Sequence, residues 1–320
     1  MDAVLELKGV SKHFAAHKAV DGVSLAVERG SLFALLGPSG CGKTTVLRMV
    51  AGFDQPTSGE ILLNGQDIAP LRPFERNVCT VFQNYALFPH LTARENIEFG
   101  LRRHGDRDIE RKVEKMLDLV QLSGKEHRLP AQMSGGEKQR VALARSLVLE
   151  PEILLLDEPL SALDPKLRKQ VRSELRALQR RVGITFIIVT HDQEEAMAMS
   201  DQIALLHRGR LEQIGTPEDI YLRPKSRFVA GFLGGVNWLG GIGVRPESLR
   251  VTNPGRTNGN PARPATVTSS MFLGNCLHVE MALDDGTRVV AEIPRCESYT
   301  SGQEVVLEWN EIDELRLPAE

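Results

Sequence analysis

Up to about residue 68, apolar and polar positions alternate in short bursts. "VLELKGV", "VSLAVERG" and "EILLNGQDI" have the period of β-strands, and Asn64-Gly65 is a strong hairpin turn, so this part of the chain reads as antiparallel. Between these bursts, "SLFALLG" is an apolar strand running straight into a glycine-rich loop, and "KTTVLRMVAG" is a helix stopped at Gly52. Residues 92–129 are helical and charge-rich; "RRHGDRDIERKVEK" within them is read as a solvated helix face rather than a basic docking site. A parallel α/β rhythm follows. "PEILLLDEP" and "ITFIIVTH" are buried strands, separated by the amphipathic helix "LDPKLRKQVRSELRALQRRVG". Asp164 is its N-cap, Pro165 lies in its first turn, Gly183 closes it, and Leu167, Val171, Leu175, Leu178 and Val182 form its apolar stripe.

Near Gly234 the texture changes. Residues 252–264, "TNPGRTNGNPARP", are a loop rich in Gly, Pro and Asn. Around it stand the short β patterns "GIGVRP", "CLHVEMAL", "TRVVAEIP" and "EVVLEW", with a turn at Asp284-Asp285-Gly286. This predicts a small all-β domain, a barrel or part of one. The expected division is residues 1–234 and 235–320, and no internal repeat is evident.

Composition narrows the class. The chain has 320 residues, 42% hydrophobic and 25% charged, as in ordinary soluble globular proteins. A net charge of −3 gives no support to bulk binding of nucleic acid or anionic lipid. "MDAVLELKGV" lacks the pattern of a signal peptide, and no apolar run approaches a membrane span, so any link to a membrane is expected to pass through a partner. Cys41, Cys79, Cys276 and Cys296 form no CxxC pair, which suggests neither zinc nor a disulfide framework; the chain reads as reduced and cytosolic.

Residues 37–45, "GPSGCGKTT", match G-x-x-x-x-G-K-[ST] between a strand and a helix. Backbone N–H groups of Gly37, Ser39, Gly40, Cys41, Gly42 and the following turn are expected to converge on phosphate oxygens, with Pro38 shaping the loop without an N–H of its own. Lys43 is expected to neutralise the β/γ-phosphates and Thr44 to ligate Mg²⁺, and Thr45 belongs with the ATP-binding residues of the loop. Cys41, inside this nest of N–H dipoles, is expected to favour its thiolate. Asp157 and Glu158 end an apolar strand, where one carboxylate can hold Mg²⁺ and the other can orient attacking water. His191 stands at another strand end, within expected reach of the γ-phosphate or the water. Gln83, in "VFQNYALFPHLT", is uninformative by spacing alone; Tyr85, Leu87 and Phe88 after it fit a partly exposed run or ordinary core.

A second glycine-rich helix start, "MSGGEKQR", has no lysine of its own. Ser134 and Glu137 form a capping box, which explains it as a helix start. Gly135 and Gly136 also make a second anion site, and one nucleotide already held by the first loop leaves it idle within one chain. A second copy turned head-to-tail gives it a use: each chain's Ser-Gly pair would cap the other's γ-phosphate.

This set resembles the ATPase subunits of ABC importers with a C-terminal TOBE domain, over nearly the whole chain. The resemblance implies an α/β P-loop NTPase of ABC type, with antiparallel β and helical subdomains and a small all-β, OB-like C-terminal domain. It further implies Walker A at residues 37–45 and Walker B at "ILLLDEP", with Glu158 as catalytic base. Gln83 becomes the Q-loop residue and a Mg²⁺ ligand, "SALD" with Asp164 the D-loop, His191 the switch histidine, and Phe14 the aromatic stacked on adenine. "MSGGE" stands for the usual LSGGQ, with Met133 conserving volume and Glu137 keeping an acceptor for the partner nucleotide's ribose while losing the amide donors. The C-terminal segment departs more, because Asn237-Trp238-Leu239 is followed almost at once by "GIGVRPESLRV" where the family has a longer β segment.

The implied cofactors are ATP and Mg²⁺. The implied partners are a second copy or a homologous ATPase, transmembrane permease subunits and, indirectly, a solute-binding protein, with no nucleic acid. The implied place is the cytoplasmic face of the bacterial inner membrane. The C-terminal pattern looks more like polyamine, ferric-iron or phosphonate importers than sugar importers. Non-transport ABC ATPases carry coiled-coil insertions, a second cassette or iron–sulfur cysteines, none of which occurs here. The Asn-Lys-x-Asp motif of GTPases is missing as well, and a pure binding module is disfavoured by Glu158 and His191.

Overall fold

The computed structural model describes residues 2–15, 17–161, 163–254 and 260–318. The expected antiparallel start forms as β1 (Ala3–Phe14) and β2 (His17–Glu28), followed by β3 (Leu32–Leu36), α1 (Lys43–Ala51), β4 (Ser58–Leu63) and β5 (Gln66–Asp67). One sheet has the order β2-β1-β4-β5. Leu63 pairs with Gln66 across Asn64 (φ 51°) and Gly65 (φ 76°), two left-handed residues that give the tight turn expected of Asn-Gly.

The second sheet is built from β3 together with β6 (Val78–Val81), β7 (Ile153–Asp157), β8 (Thr185–Thr190), β9 (Gln202–His207) and β10 (Arg210–Gly215). Its order is β10-β9-β3-β8-β7-β6; β10 is antiparallel to its neighbour and the other pairs are parallel. Every residue of β3 and β8 is buried, in keeping with the apolar run of β3 and with that of β8 between Thr185 and Thr190. Between β6 and β7 stand α2 (Ala93–His104), α3 (Ile109–Leu119) and α4 (Gly135–Leu147), closed on a core that includes Ile97, Leu101, Val113, Val141 and Met133. α5 (Pro165–Val182) links β7 to β8, and α6 (Gln193–Met199) links β8 to β9. Asp164 caps α5 by accepting from Leu167 N at 3.0 Å, and Gly183 ends it at φ 69°. Its buried face departs from the expected stripe. Val171 and Leu175 are buried with Gln179, whose amide donates to Gly30 O and Ile184 O, whereas Leu167, Leu178 and Val182 are half-buried.

The chain divides into two compact units, Met1–Glu218 and Asp219–Glu320. Residues 219–234, expected with the first domain, fall in the second unit. After α7 (Pro217–Leu222) and α8 (Arg227–Phe232), that unit is all β: β11 (Asn237–Leu239), β12 (Ile242–Val244), β13 (Arg250–Thr252), β14 (Ala262–Phe272), β15 (Cys276–Leu283), β16 (Arg288–Pro294) and β17 (Glu304–Glu308). An antiparallel sheet of order β13-β17-β14-β15-β16 curls into a half-barrel over Val267, Val279, Met281, Val289, Leu307 and Trp309. The β11–β12 ribbon is tied to β16 by buried Asn237, which donates to Val290 O and accepts from Val290 N. Buried Arg245 holds its guanidinium carbon over the Tyr221 ring, 3.6 Å from the centroid, and donates to Tyr221 O. The middle of the Gly/Pro/Asn-rich loop, residues 255–259, lies outside the described residues.

Candidate functional site

Register brings the chemistry together. Val81 of β6 is opposite Leu156 of β7, Asp157 is opposite Val189 of β8, and Thr190 is opposite Leu36 of β3. The residues just past these positions (Gln83, Glu158, His191 and the loop at Gly37) therefore emerge side by side at the carboxyl edge of a parallel sheet.

The loop itself is a fitted cradle. A Cβ on Gly37 (φ 152°) would lie 2.2 Å from Leu206 O and 2.7 Å from Cys41 Sγ; one on Gly42 (φ 106°) would lie 2.4 Å from Ala19 O. Gly42 is the left-handed N-cap of α1 and no side chain caps that helix, so its first-turn N–H groups are left available to an anion. Buried Lys43 donates from Nζ to Gly37 O (2.8 Å) and Pro38 O (3.0 Å), which aims its charge across the loop. This donor set fits a polyphosphate: a ring of amides, one buried cation, and no acid inside the ring. Phe14 ends β1 half-exposed with the Lys12 ammonium 5.0 Å above its ring.

Beside the loop, Thr44 Oγ1 donates to Asp157 Oδ1 at 3.4 Å, a hydroxyl and a carboxylate suited to a shared divalent cation. Burial, and then the charge of Glu158, push the Asp157 carboxyl above its ordinary value. Glu158 has φ 46°, a left-handed backbone on a residue with a side chain. Its Oε1 lies 3.1 Å from His191 Nδ1 and its Oε2 accepts from Gln83 Nε2 at 3.4 Å. Gln83 also donates to Ser161 Oγ at 3.0 Å, and Ser161 in turn to Glu158 O at 2.9 Å. One acid, one amide, one imidazole and one hydroxyl thus share a cluster that includes residues 75 positions apart.

The expectation for Cys41 is corrected. Its side chain is buried, and desolvation raises the thiol pKa despite the Lys43 ammonium, so the loop holds a thiol rather than a thiolate.

The second glycine motif forms the helix cap of α4. Ser134 Oγ accepts from Glu137 N (3.3 Å) and Glu137 Oε2 accepts from Ser134 N (2.8 Å). Glu137 Oε1 meets Lys125 Nζ at 2.9 Å. The Ser134 N–H, followed by the Lys125 ammonium, lowers the Glu137 pKa to about 2. Both of its oxygens thus have a partner within this chain, at the start of α4 and on Lys125. Ser134 is exposed, Gly135 half-buried and Met133 buried.

Tyr85 is buried, while Leu87 and Phe88 are half-buried, so the run after Gln83 is mixed. Arg145 organises it: the guanidinium donates to Tyr85 O (2.9 Å) and Ala86 O (2.7 Å) and lies 5.5 Å from the Phe88 ring. Arg76 similarly donates to Met49 O and Val50 O at the end of α1. Neither arginine stood out in the sequence. Ala162, within "SALD", lies outside the described residues; Asp164 sits exposed at the α5 cap.

Residues 20–161 match the ABC transporter family and residues 242–315 the TOBE domain. Over 96% of this chain and 97% of the relative, the sequence is 43% identical to the spermidine/putrescine import ATP-binding protein PotA of Nitrosomonas europaea. It is 42% identical, over 97% of both chains, to the ABC transporter ATP-binding protein YdcT of Escherichia coli. A dimeric ATP-binding cassette in a post-hydrolysis state, bound to ADP and Pi, aligns with a TM-score of 0.59 and 31% identity over 67% of this chain and 98% of its own. A second structure, cbiO1 from Clostridium perfringens, aligns with a TM-score of 0.64 and 28% identity over 69% of this chain and 91% of its own. With its phosphate cradle and half-barrel in place, the chain belongs to the ABC transporter family as an ATP-binding subunit with a C-terminal TOBE domain.

Proposed function

We propose that this chain hydrolyses ATP in a head-to-tail dimer to drive import of a solute, with a polyamine as the solute, through separate permease subunits. The observation that carries the catalytic reading is the meeting of Glu158, Gln83 and His191 beside the loop of Lys43 and Thr44. Amides of residues 37–45 cradle the phosphates, Lys43 exchanges its carbonyl partners for β/γ-oxygens, and Phe14 stacks on the base. Mg²⁺, when bound, draws charge off the phosphoryl oxygens; Thr44, Asp157 and Gln83 are the groups that would hold it. Glu158 takes the proton of the attacking water, and His191 orients Glu158 against the γ-phosphate.

Ser134, Gly135 and Gly136 close over the nucleotide of the partner copy, with Asp164 nearby at the same face. Among the described residues no helix is long and apolar enough to cross a membrane, in keeping with a subunit held at the cytoplasmic face by its permease. The unit Met1–Glu218 supplies the ATPase domain, and the TOBE domain lies within Asp219–Glu320. Polyamine is chosen over ferric iron and phosphonate because the full-length relative above is named for spermidine and putrescine.

The test is transport itself, in proteoliposomes holding this chain, its permease subunits and their solute-binding protein. ATPase activity is expected to rise with spermidine or putrescine. A rise with ferric iron, a phosphonate or a sugar instead would replace the solute while leaving the ATPase reading intact.

A further inference from the structure

We propose that Arg168 is a positioning residue that ties the second glycine motif to the chain's own catalytic histidine, a role that rests on the head-to-tail reading above. Arg168 stands in the first turn of α5 and is held there by its N–H bond to Asp164 O at 2.8 Å. Its guanidinium reaches in two directions. Nη2 donates to Leu163 O at 3.2 Å, on the segment that follows Glu158; Nη1 donates to Asp192 Oδ2 at 3.3 Å, on the loop that carries His191.

Each end of this tie has its own extension. Leu163 packs at the start of α4, where a Cβ built on Gly135 would lie 3.3 Å from Leu163 Cδ2. At the other end, Asp192 caps α6 by accepting from Glu195 N at 3.1 Å. Its own N–H donates to Thr190 Oγ1 at 3.0 Å, and that hydroxyl donates to buried Glu195 Oε2 at 2.7 Å. His191 is thus flanked by two residues locked to each other through Glu195, while its imidazole is free to meet Glu158 at 3.1 Å. The route runs Gly135, Leu163, Arg168, Asp192, His191, Glu158.

The Arg168 contacts are slack. Nε lies 3.9 Å from Glu195 Oε1 and has no hydrogen-bond partner among the described residues. Tight charge-assisted bonds run at about 2.7–2.9 Å. A small displacement of Leu163 therefore tightens one arm of the fork and loosens the other. Arg168 and His191 also line one open groove of about 450 Å³ together with Asp192 and Arg172, so a facing surface reaches both. An arginine that only neutralised Glu195 would have no use for the Leu163 carbonyl. The planar fork is what lets one side chain hold both loops.

Spatial continuity is not coupling, so the test measures coupling. Arg168→Met is expected to lower kcat about tenfold, within the usual range of coupling between sites. KM for ATP and the ATP affinity of the single chain should stay within about twofold, because the phosphate cradle is untouched. In a Glu158→Gln background the same variant should still dimerise in ATP. Arg168→Lys, which keeps the charge beside Glu195 but loses the fork, should keep wild-type thermal stability and still lose most of the kcat. Combining Arg168→Met with Asp192→Asn should cost no more than the worse single change, since both cut one tie.

Unchanged kcat in Arg168→Met, full kcat in Arg168→Lys, or multiplying losses in the double variant would each overturn the proposal. Loss of the ATP-driven dimer in the Arg168→Met, Glu158→Gln protein would overturn it in favour of an assembly role. A Glu158→Gln protein that stays monomeric in ATP with Arg168 intact would instead remove the head-to-tail reading beneath it.

Discussion

Glu158 joins a left-handed backbone to a side chain gripped by His191 and Gln83, so its carboxylate is aimed before any water arrives. Replacing it with Gln keeps the shape and removes the carboxylate proposed as the base. Turnover is expected to fall by at least ~10²-fold with ATP affinity retained, as single-turnover and binding measurements will read; full turnover would take Glu158 out of the mechanism. Glu137 carries a different kind of prediction. Its folded-state pKa is depressed from 4.5 to about 2, so its stabilisation is present above pH 4.5 and is lost as pH falls through about 2. Glu137→Gln should destabilise the chain by about 1 kcal/mol near neutrality. The gap between the two melting curves should narrow below pH 4.5; a gap independent of pH would show that the carboxylate charge is idle. That Lys43, Thr44, Glu158 and His191 lie at one edge of the sheet was legible in the sequence, because a glycine-rich loop opening a helix and the ends of two apolar strands are local patterns. Arg145, Arg76, Gln179 and Asn237 were not, because each bonds to backbone carbonyls distant in the chain, and a carbonyl has no letter in a sequence. The Cys41 error has the same root: dipoles are local and legible, whereas burial is set by the whole fold.

At the scale of elements, the two glycine-rich helix starts look alike as letters and differ as space. Gly37→Ala sets a Cβ 2.2 Å from Leu206 O, with backbone on one side and the Cys41 sulfur on the other, so the loop must shift. It is expected to abolish ATP binding in a titration with a fluorescent nucleotide. Gly136, by contrast, is helical and a Cβ there meets nothing within 4 Å. If α4 only starts there, Gly136→Ala should be harmless or raise stability by up to about 1 kcal/mol. If the glycine leaves room for a partner's nucleotide, the same change should keep the melting temperature and the single-chain ATP affinity yet cut ATPase activity. Unaltered activity would return the motif to a helix cap. Strands β3, β7 and β8 and helices α1 and α5 were legible because buried runs and caps are local signals. The half-barrel was legible as strands, but its closure through Asn237 and Val290 was not, because pairing between distant strands leaves no periodic trace.

For the whole molecule, the question is whether Ser134 acts within its own chain or across to another. Within the chain its hydroxyl already has a task, accepting from Glu137 N at 3.3 Å, and a cap of that kind contributes roughly 1 kcal/mol. Yet Ser134 is exposed at the mouth of α4, and the phosphate cradle proposed for the same chain draws on Lys43, Thr44 and the amides of α1 without it. An arginine at 134 fills the space in which a partner's γ-phosphate would sit. Glu158→Gln traps whatever ATP-bound assembly exists, since hydrolysis no longer reopens it, and light scattering should then give a dimer mass in ATP. Adding Ser134→Arg should return that protein to monomer while leaving the ATP affinity of the single chain unchanged. A cap-only role predicts the opposite pattern, with a small loss of stability and a dimer that persists. A persistent dimer, or an equal loss of single-chain ATP binding, would mean that the second glycine motif belongs to its own helix and that two copies meet through some other surface.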